Sequence, residues 1–248
     1  MRDDDPILTP KELLQYRRVT GALQDFPPPE TVIFAPQKSL ANYVLRKYST
    51  RAIKGFLGEF YLLKKDNGKI ALSTGFGIGS PVIAGLTDEF IALGVKQFVL
   101  IGLAGGLQEN LSAGSMLLST GAIRGEGVTR HYLPPGEIVE SSGMILNRVS
   151  DALSHKNIGF EKGITWTTDA PFREVRRDVL RYQQRGILAV DMEAAAMLGV
   201  ARSYGLAACA AFCIADSLAN GVWSMSEDLR LAQANLAILF DIVYETLK

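Results

Sequence analysis

The run from Val190 to Asp216 constrains the fold more than any other part of this sequence. Leu188 to Val190 reads as a short strand that ends at Asp191, Met192 to Tyr204 as an alanine-rich helix, and Leu206 to Ala215 as an almost wholly apolar strand. That order of elements belongs to an α/β sheet with helices packed on it. Asp191 stands where an N-cap is wanted. Glu193 falls in the first turn, where the helix dipole favours a negative charge. Asp216 ends the apolar run, at the carboxyl end of a buried strand, the place where open α/β sheets bind ligands. A carboxylate at a helix start and another at a strand end can converge on one cleft. Spacing alone equally admits Glu193 as a dipole partner and Asp216 as a turn cap.

Composition narrows the partners. The 26 basic and 26 acidic residues balance, so no basic surplus points to nucleic acid or to an anionic membrane. Hydrophobic residues make up 48% of the chain, which predicts a packed core rather than disorder. The 248 residues suit one α/β domain, with 1–30 as an N-terminal helix and linker. Met1 to Pro6 is acidic and lacks the apolar core of a signal peptide, and charges interrupt every apolar run before it reaches membrane-spanning length. Cys209 and Cys213 share one strand, about 13 Å apart, too far for a disulfide. They read as reduced core residues of a cytoplasmic protein. His131 and His155 are the sole histidines, so no zinc site is expected.

Along the chain, Thr9-Pro-Lys-Glu12 is a capping box with proline at the first helical position, which predicts a helix to about Tyr16. Phe26 to Pro29 links it to a strand over Thr31 to Ala35. Phe56 to Lys64 and Lys69 to Thr74 read as strands joined by the turn signal Asp66-Asn-Gly-Lys69. Gly75-Phe-Gly-Ile-Gly79 follows a strand and precedes a helix over Pro81 to Leu93. Its spacing is not that of the dinucleotide fingerprint, so close packing or backbone approach to a ligand is the better reading. A buried strand over Gln97 to Ile101 leads into Gly102-Leu-Ala-Gly-Gly106, read as a turn whose small residues either need positive φ or let N–H groups approach a ligand. Ser115 to Thr120 and Phe160 to Trp166 read as further strands, and Gly143 to His155 as a helix. Arg124, Glu126, Arg130 and His131 form a polar cluster in which His131 is more readily structural than catalytic. Ser224-Met-Ser-Glu227 is a second capping box, before a final helix with Leu229, Leu236, Phe240, Val243 and Leu247 on one face.

Three segments together carry a resemblance: Asp191-Met-Glu-Ala-Ala-Ala196 with Ile214-Ala-Asp-Ser217, the stretch from Thr120 to Pro134, and Ile101-Gly-Leu-Ala-Gly-Gly106. From about Thr31 onward the chain resembles the nucleoside phosphorylase family that includes uridine phosphorylase and hexameric purine nucleoside phosphorylase. The resemblance implies an α/β three-layer sandwich with a mixed, partly barrel-like central sheet. It implies cleavage of a nucleoside's N-glycosidic bond, with inorganic phosphate as acceptor, no cofactor, no metal, and a homo-oligomer. Glu193 would hold the sugar hydroxyls with Met192 packed on the sugar. Asp216 would protonate the departing base, which leans the substrate towards purine nucleosides. Phe172, or Pro171 next to it, would lie beside the base. Gly102, Leu103, Ala104 and Gly105 would line the substrate site.

The chain departs from the family at the phosphate. Pro36-Gln-Lys-Ser-Leu40 replaces a glycine loop that carries an arginine. Leu100 and Leu103 stand where the family has an arginine and a serine or threonine. A buried leucine cannot replace a guanidinium. Asp5-Pro-Ile-Leu8 occupies the region where the family places a histidine in a neighbour's ribose site. The residues that read uracil are not matched, although Arg173 and Arg176 lie nearby. Three readings follow: a phosphorylase with a rebuilt phosphate site, a nucleoside hydrolase using water, and a non-catalytic nucleoside-binding protein.

Overall fold

The structure, a computed structural model, describes residues 6–226 and 229–248. Helix α1 (Pro10–Val19) begins as the capping box demands, with Thr9 N donating to Glu12 at 2.8 Å and Glu12 N to the Thr9 hydroxyl at 3.3 Å. There follow β1 (Thr31–Ala35), α2 (Lys38–Lys47), β2 (Thr50–Ile53), β3 (Glu59–Leu63), β4 (Ile70–Thr74), α3 (Ser80–Leu93) and β5 (Gln97–Gly106). The second half comprises β6 (Met116–Gly125), β7 (Ile138–Glu140), α4 (Gly143–His155), β8 (Glu161–Thr168), α5 (Arg176–Gln184), β9 (Ala189–Asp191), α6 (Ala194–Ser203), β10 (Ala207–Ser217), β11 (Ser224–Met225) and α7 (Arg230–Leu247). The turn between β3 and β4 is closed by left-handed Asn67 and Gly68, with Gly68 N donating to Asp66 Oδ1 at 3.0 Å.

The strands form one mixed sheet that closes on itself. β5 runs parallel to β1 on one edge and to β10 on the other. β10 is antiparallel to β6, β6 parallel to β8, β8 parallel to β9, and β9 antiparallel to the end of β5. Those five strands make a barrel, and β1, β4, β3 and β2 extend the sheet from β5. Helices α1, α3 and α6 cover one face, around Phe34, Phe60, Phe90 and Phe98. Helices α2, α4 and α7 cover the other, around Leu40, Val149, Leu236 and Phe240. Phe60 and Phe90 stack at 4.7 Å and Phe34 and Phe98 at 6.2 Å. Each such buried ring contributes about 1.5–3 kcal/mol. The expected sandwich with its partly barrel-like sheet is the observed fold.

Several boundaries differ from the sequence reading. Gly102 to Gly106 is strand, not turn, and none of its glycines has positive φ. A Cβ on Gly105 would lie 2.7 Å from Leu218 Cδ1, and one on Gly106 3.2 Å from Ile214 Cγ2. The small residues there let β5, β9 and β10 close together; they do not bend the chain. β6 extends through Gly125 because its second half pairs with β7 and β8. Helix α6 starts at Ala194, two residues later than expected, with Glu193 itself as N-cap. Ser224 does not cap α7: with Met225 it pairs with β10, and Glu227 lies outside the described residues.

Helix α6 is buried on every side from Ala194 to Ala201, so its alanines set how closely it approaches the sheet and α3. Ala196→Leu should lower the free energy of unfolding by about 1–3 kcal/mol, because a close-packed core takes extra methylenes only with strain. Urea unfolding reads this as a lower midpoint at an unchanged m-value.

Candidate functional site

The site is built where β5 changes neighbours. Along Gln97 to Leu100, β5 pairs with β1; at Gly105 and Gly106, β9 has taken that edge. Strand β9 runs against β5, so its end carries Asp191, Met192 and Glu193 into the gap where β1 stops. A crevice at the carboxyl ends of strands, at such a switch of order, is where α/β folds bind ligands.

Asp191 organises that entry. Its Oδ1 accepts from Glu193 N at 2.9 Å, Ala194 N at 2.8 Å and the Thr167 hydroxyl at 2.9 Å. Thr167 in turn accepts from Ala195 N at 2.9 Å. These bonds satisfy the free N–H groups at the start of α6, so Asp191 caps the helix from two residues before the N-cap. Asp191 is 4% exposed, and burial pushes its carboxyl up, opposed by those N–H donors.

Glu193, held by this turn, is 7% exposed and its Oε1 accepts from Gly79 N at 2.6 Å. Burial pushes its carboxyl up to about 7, with the Gly79 N–H acting against the shift and the charge of Asp191 adding to it. Gly79 has φ 108 and ψ 156, a conformation essentially reserved for glycine. Ser80 donates from its hydroxyl to the Met192 carbonyl at 2.9 Å. The glycine-rich turn after β4 thus presents backbone to the Met192-Glu193 pair. The approach seen here is to a protein carboxylate and carbonyl, which is the close packing the sequence reading allowed for this turn.

Asp216 lies on the other edge of β5. A bulge between Ile214 and Asp216 inserts Ala215 and brings Asp216 opposite Gly105, as bulges re-aim side chains. Its Oδ1 is 3.3 Å from where a Gly105 Cβ would sit, and its Oδ2 accepts from Trp223 Nε1 at 2.7 Å. Glu174 faces it from the segment before α5: burial, then the negative charge of Asp216, raise the Glu174 carboxyl to about 7.

The other expected positions divide. Gly102 and Ala104 are buried, Ala104 on the α3/α6 side, whereas Leu103 packs on the α2/α7 side. Phe172 is 99% exposed, in a short turn over Pro171–Arg173. Leu100 is fully buried in the phenylalanine cluster. Arg124 spends its donors on the following loop, with Nε to the Thr129 hydroxyl at 2.8 Å and Nη1 to the Pro134 carbonyl at 2.8 Å. His131 is exposed. Gln37 was not singled out: its Oε1 lies 3.6 Å from the Cβ position of Gly102, buried and without a hydrogen-bond partner among the described residues. Glu174 and Trp223 were not singled out either. Only the first has a sequence signal, its place beside Phe172; Trp223 follows Asp216 in a turn with no periodicity to betray it. Among the described residues no group of three or more His, Cys, Asp or Glu is placed to hold a metal, and no helix is long and apolar enough to cross a membrane.

Residues 34–247 match the family model described as the phosphorylase superfamily. The chain belongs to that superfamily. It is similar to the DeoD-type purine nucleoside phosphorylase of Bacillus cereus, 26% identical over 182 residues that cover 73% of this chain and 75% of the relative. The corresponding protein of Bacillus cytotoxicus is 25% identical over the same lengths. In fold it is similar to the crystal structure of uridine phosphorylase from Vibrio fischeri, with a TM-score of 0.78 at 19% identity over 89% of this chain and 92% of that one.

The raised carboxyl of Glu193 has a consequence for stability. A carboxyl with a higher pKa folded than unfolded holds its proton more tightly in the native state. Stability is therefore greatest below the ordinary value of 4.5 and falls as pH rises through about 7. Urea unfolding at about pH 5 and about pH 8 should show the wild type less stable at the higher pH. Glu193→Gln should shrink that difference.

Proposed function

We propose that this protein cleaves the N-glycosidic bond of a purine nucleoside and transfers the sugar to inorganic phosphate. The observation that carries the reading is Glu193, a nearly buried carboxylate fixed by Gly79 N–H at the switch of strand order. Superfamily membership supports nucleoside chemistry, and the DeoD-type relatives support a purine.

In this reading the sugar's hydroxyls donate to Glu193, and Met192 packs on the sugar. As the bond between the sugar's anomeric carbon and the base breaks, its electron pair goes to the base. The carbon becomes oxocarbenium-like, and the negative charge of Glu193 stabilises it. Asp216 gives a proton to the base, which leaves neutral. A phosphate oxygen then bonds to the anomeric carbon, yielding sugar 1-phosphate and free base. Phe172 closes over the base, Gly102, Ala104 and Gly105 line the site with backbone, and Leu103 supports it from behind. The carbonyl oxygen of Gln37, beside Gly102, is free to accept from a ligand. A homo-oligomer, by family resemblance, would cover the exposed Phe172.

The hydrolase reading is favoured by one observation: Leu100, where the family carries an arginine, is fully buried among aromatic rings and offers an anion nothing. Weak phosphate binding, with a KM in the millimolar range, is expected. Product identity across a phosphate titration separates the two. Sugar 1-phosphate formed at a rate that rises with phosphate supports the proposal. Free sugar at a rate indifferent to phosphate assigns the protein to the hydrolases, and saturable nucleoside binding without cleavage assigns it a binding role.

Glu193→Gln should reduce turnover by about 10² or more, since the transition state loses an electrostatic contact that the ground state needs less. Steady-state kinetics on the best purine nucleoside reads this directly. Turnover within threefold of wild type would remove Glu193 from the sugar site.

A further inference from the structure

The chain has two tryptophans. Trp166 is buried against Tyr182, at 4.7 Å between ring centroids. Trp223 is 63% exposed, and its directed contact is the bond from Nε1 to Asp216 Oδ2. A ring so exposed contributes little to the core, so its place needs another reason.

The fold builds that place deliberately. β10 and β11 pair Asp216 with Met225 and Ser217 with Ser224, which folds the intervening residues back over the strand end. Asn220 and Gly221 make the reversal with φ 60 and 67. Leu218 anchors it, donating from its N–H to the Gly106 carbonyl at 2.8 Å. On the outside Arg176 of α5 packs so tightly that a Cβ on Gly221 would lie 2.5 Å from its Cγ. The result holds the Asp216 carboxyl with Gly105 on its Oδ1 side and Trp223 at Oδ2, where its negative charge is felt by Glu174.

An indole N–H can only donate. A protonated carboxyl has one oxygen that accepts and one that carries the proton. With Trp223 donating to Oδ2, the arrangement with the proton on Oδ1 is favoured, because the carbonyl oxygen of a carboxyl is the better acceptor. When that proton leaves, the N–H bond becomes charge-assisted and stronger. The contact therefore gains strength as the proton is given away, which is the property that lowers a barrier rather than merely tightening binding.

We propose that Trp223 is a positioning residue for the cleavage reaction, fixing the acidic proton of Asp216 on Oδ1 and stabilising the carboxylate left behind. The inference rests on Asp216 as the proton donor. The proton passes from Oδ1 to the base as the glycosidic electron pair moves onto the base, and solvent returns a proton to Asp216 afterwards.

The test compares guanosine with 7-methylguanosine, whose cationic base leaves without being protonated. Trp223→Phe keeps a ring and removes the N–H; Trp223→Leu removes both. Both variants should lose about tenfold or more in kcat on guanosine, the loss of one charge-assisted hydrogen bond. KM should stay within twofold, and 7-methylguanosine should be cleaved at nearly the wild-type rate. In Asp216→Asn, adding Trp223→Phe should cost nothing more on guanosine. Equal losses on both substrates, or no loss on guanosine, overturn the role of Trp223. Asp216→Asn in the same assay keeps the two claims apart. If it spares 7-methylguanosine while the Trp223 variants do not, only the present inference fails. If Asp216→Asn hurts both substrates alike, or the wild type cleaves neither, the proton-donor reading fails and takes this inference with it.

Discussion

Everything in this structure hangs on the close approach of three strands at the end of β5. Gly105 pairs with Val190 of β9 on one edge and with Asp216 of β10 on the other. A side chain there would collide with Leu218 and Val190, at 2.7 and 3.2 Å from its Cβ. Without a side chain, β9 can replace β1 beside β5 and the barrel can close. The closure delivers the Met192-Glu193 turn to one side of β5 and the bulged end of β10 to the other. Both candidate carboxylates owe their positions to this one steric allowance.

The charges around that closure are unusual for a protein interior. Asp191 and Glu193 are buried two residues apart, and the negative charge of half-buried Asp216 helps raise the carboxyl of half-buried Glu174. Buried carboxylates persist when donors meet them. Asp191 collects two backbone N–H groups and a hydroxyl on one oxygen, and with them caps α6. Glu193 has one backbone donor from Gly79. Asp191 Oδ1 is thus committed to the fold, its buried Oδ2 has no hydrogen-bond partner among the described residues, and Glu193 meets its donor at Oε1. A carboxylate at a strand switch suits a ligand that brings hydroxyl donors. The raised pKa of Glu193 follows from the same desolvation.

The anion side of the site is built differently. Leu100 is sealed among Phe34 and Phe98, and the segment after β1 forms helix α2 in place of a glycine loop. Arg124 is held by the Thr129 hydroxyl and the Pro134 carbonyl. Neither position therefore presents an unengaged guanidinium, the group that pairs most strongly with an anion.

Much of this was legible in the residues. The alternation of apolar runs with turn signals, the capping box at Thr9 and the Asp66-Asn-Gly-Lys69 turn act within a few residues of chain, where local sterics and hydrogen bonding decide. The family motifs around Glu193 and Asp216 identified the superfamily for the same reason, since they sit together in short segments. Non-local packing decided the rest. The glycine run from 102 to 106 reads as a turn until β9 and β10 pair with it, because only those partners supply its hydrogen bonds. The start of α6 moved from Met192 to Ala194 because Asp191 is tied sideways to Thr167 on another strand. The hairpin that sets Trp223 on Asp216 depends on a bulge and on Arg176 from a separate helix. The sequence by itself determined the elements with strong local signals, such as α1, β4 and α3, and which carboxylates the chain offers. Tertiary structure decided which atoms those carboxylates meet, because strand pairing and burial, not sequence distance, bring a donor within reach of an oxygen.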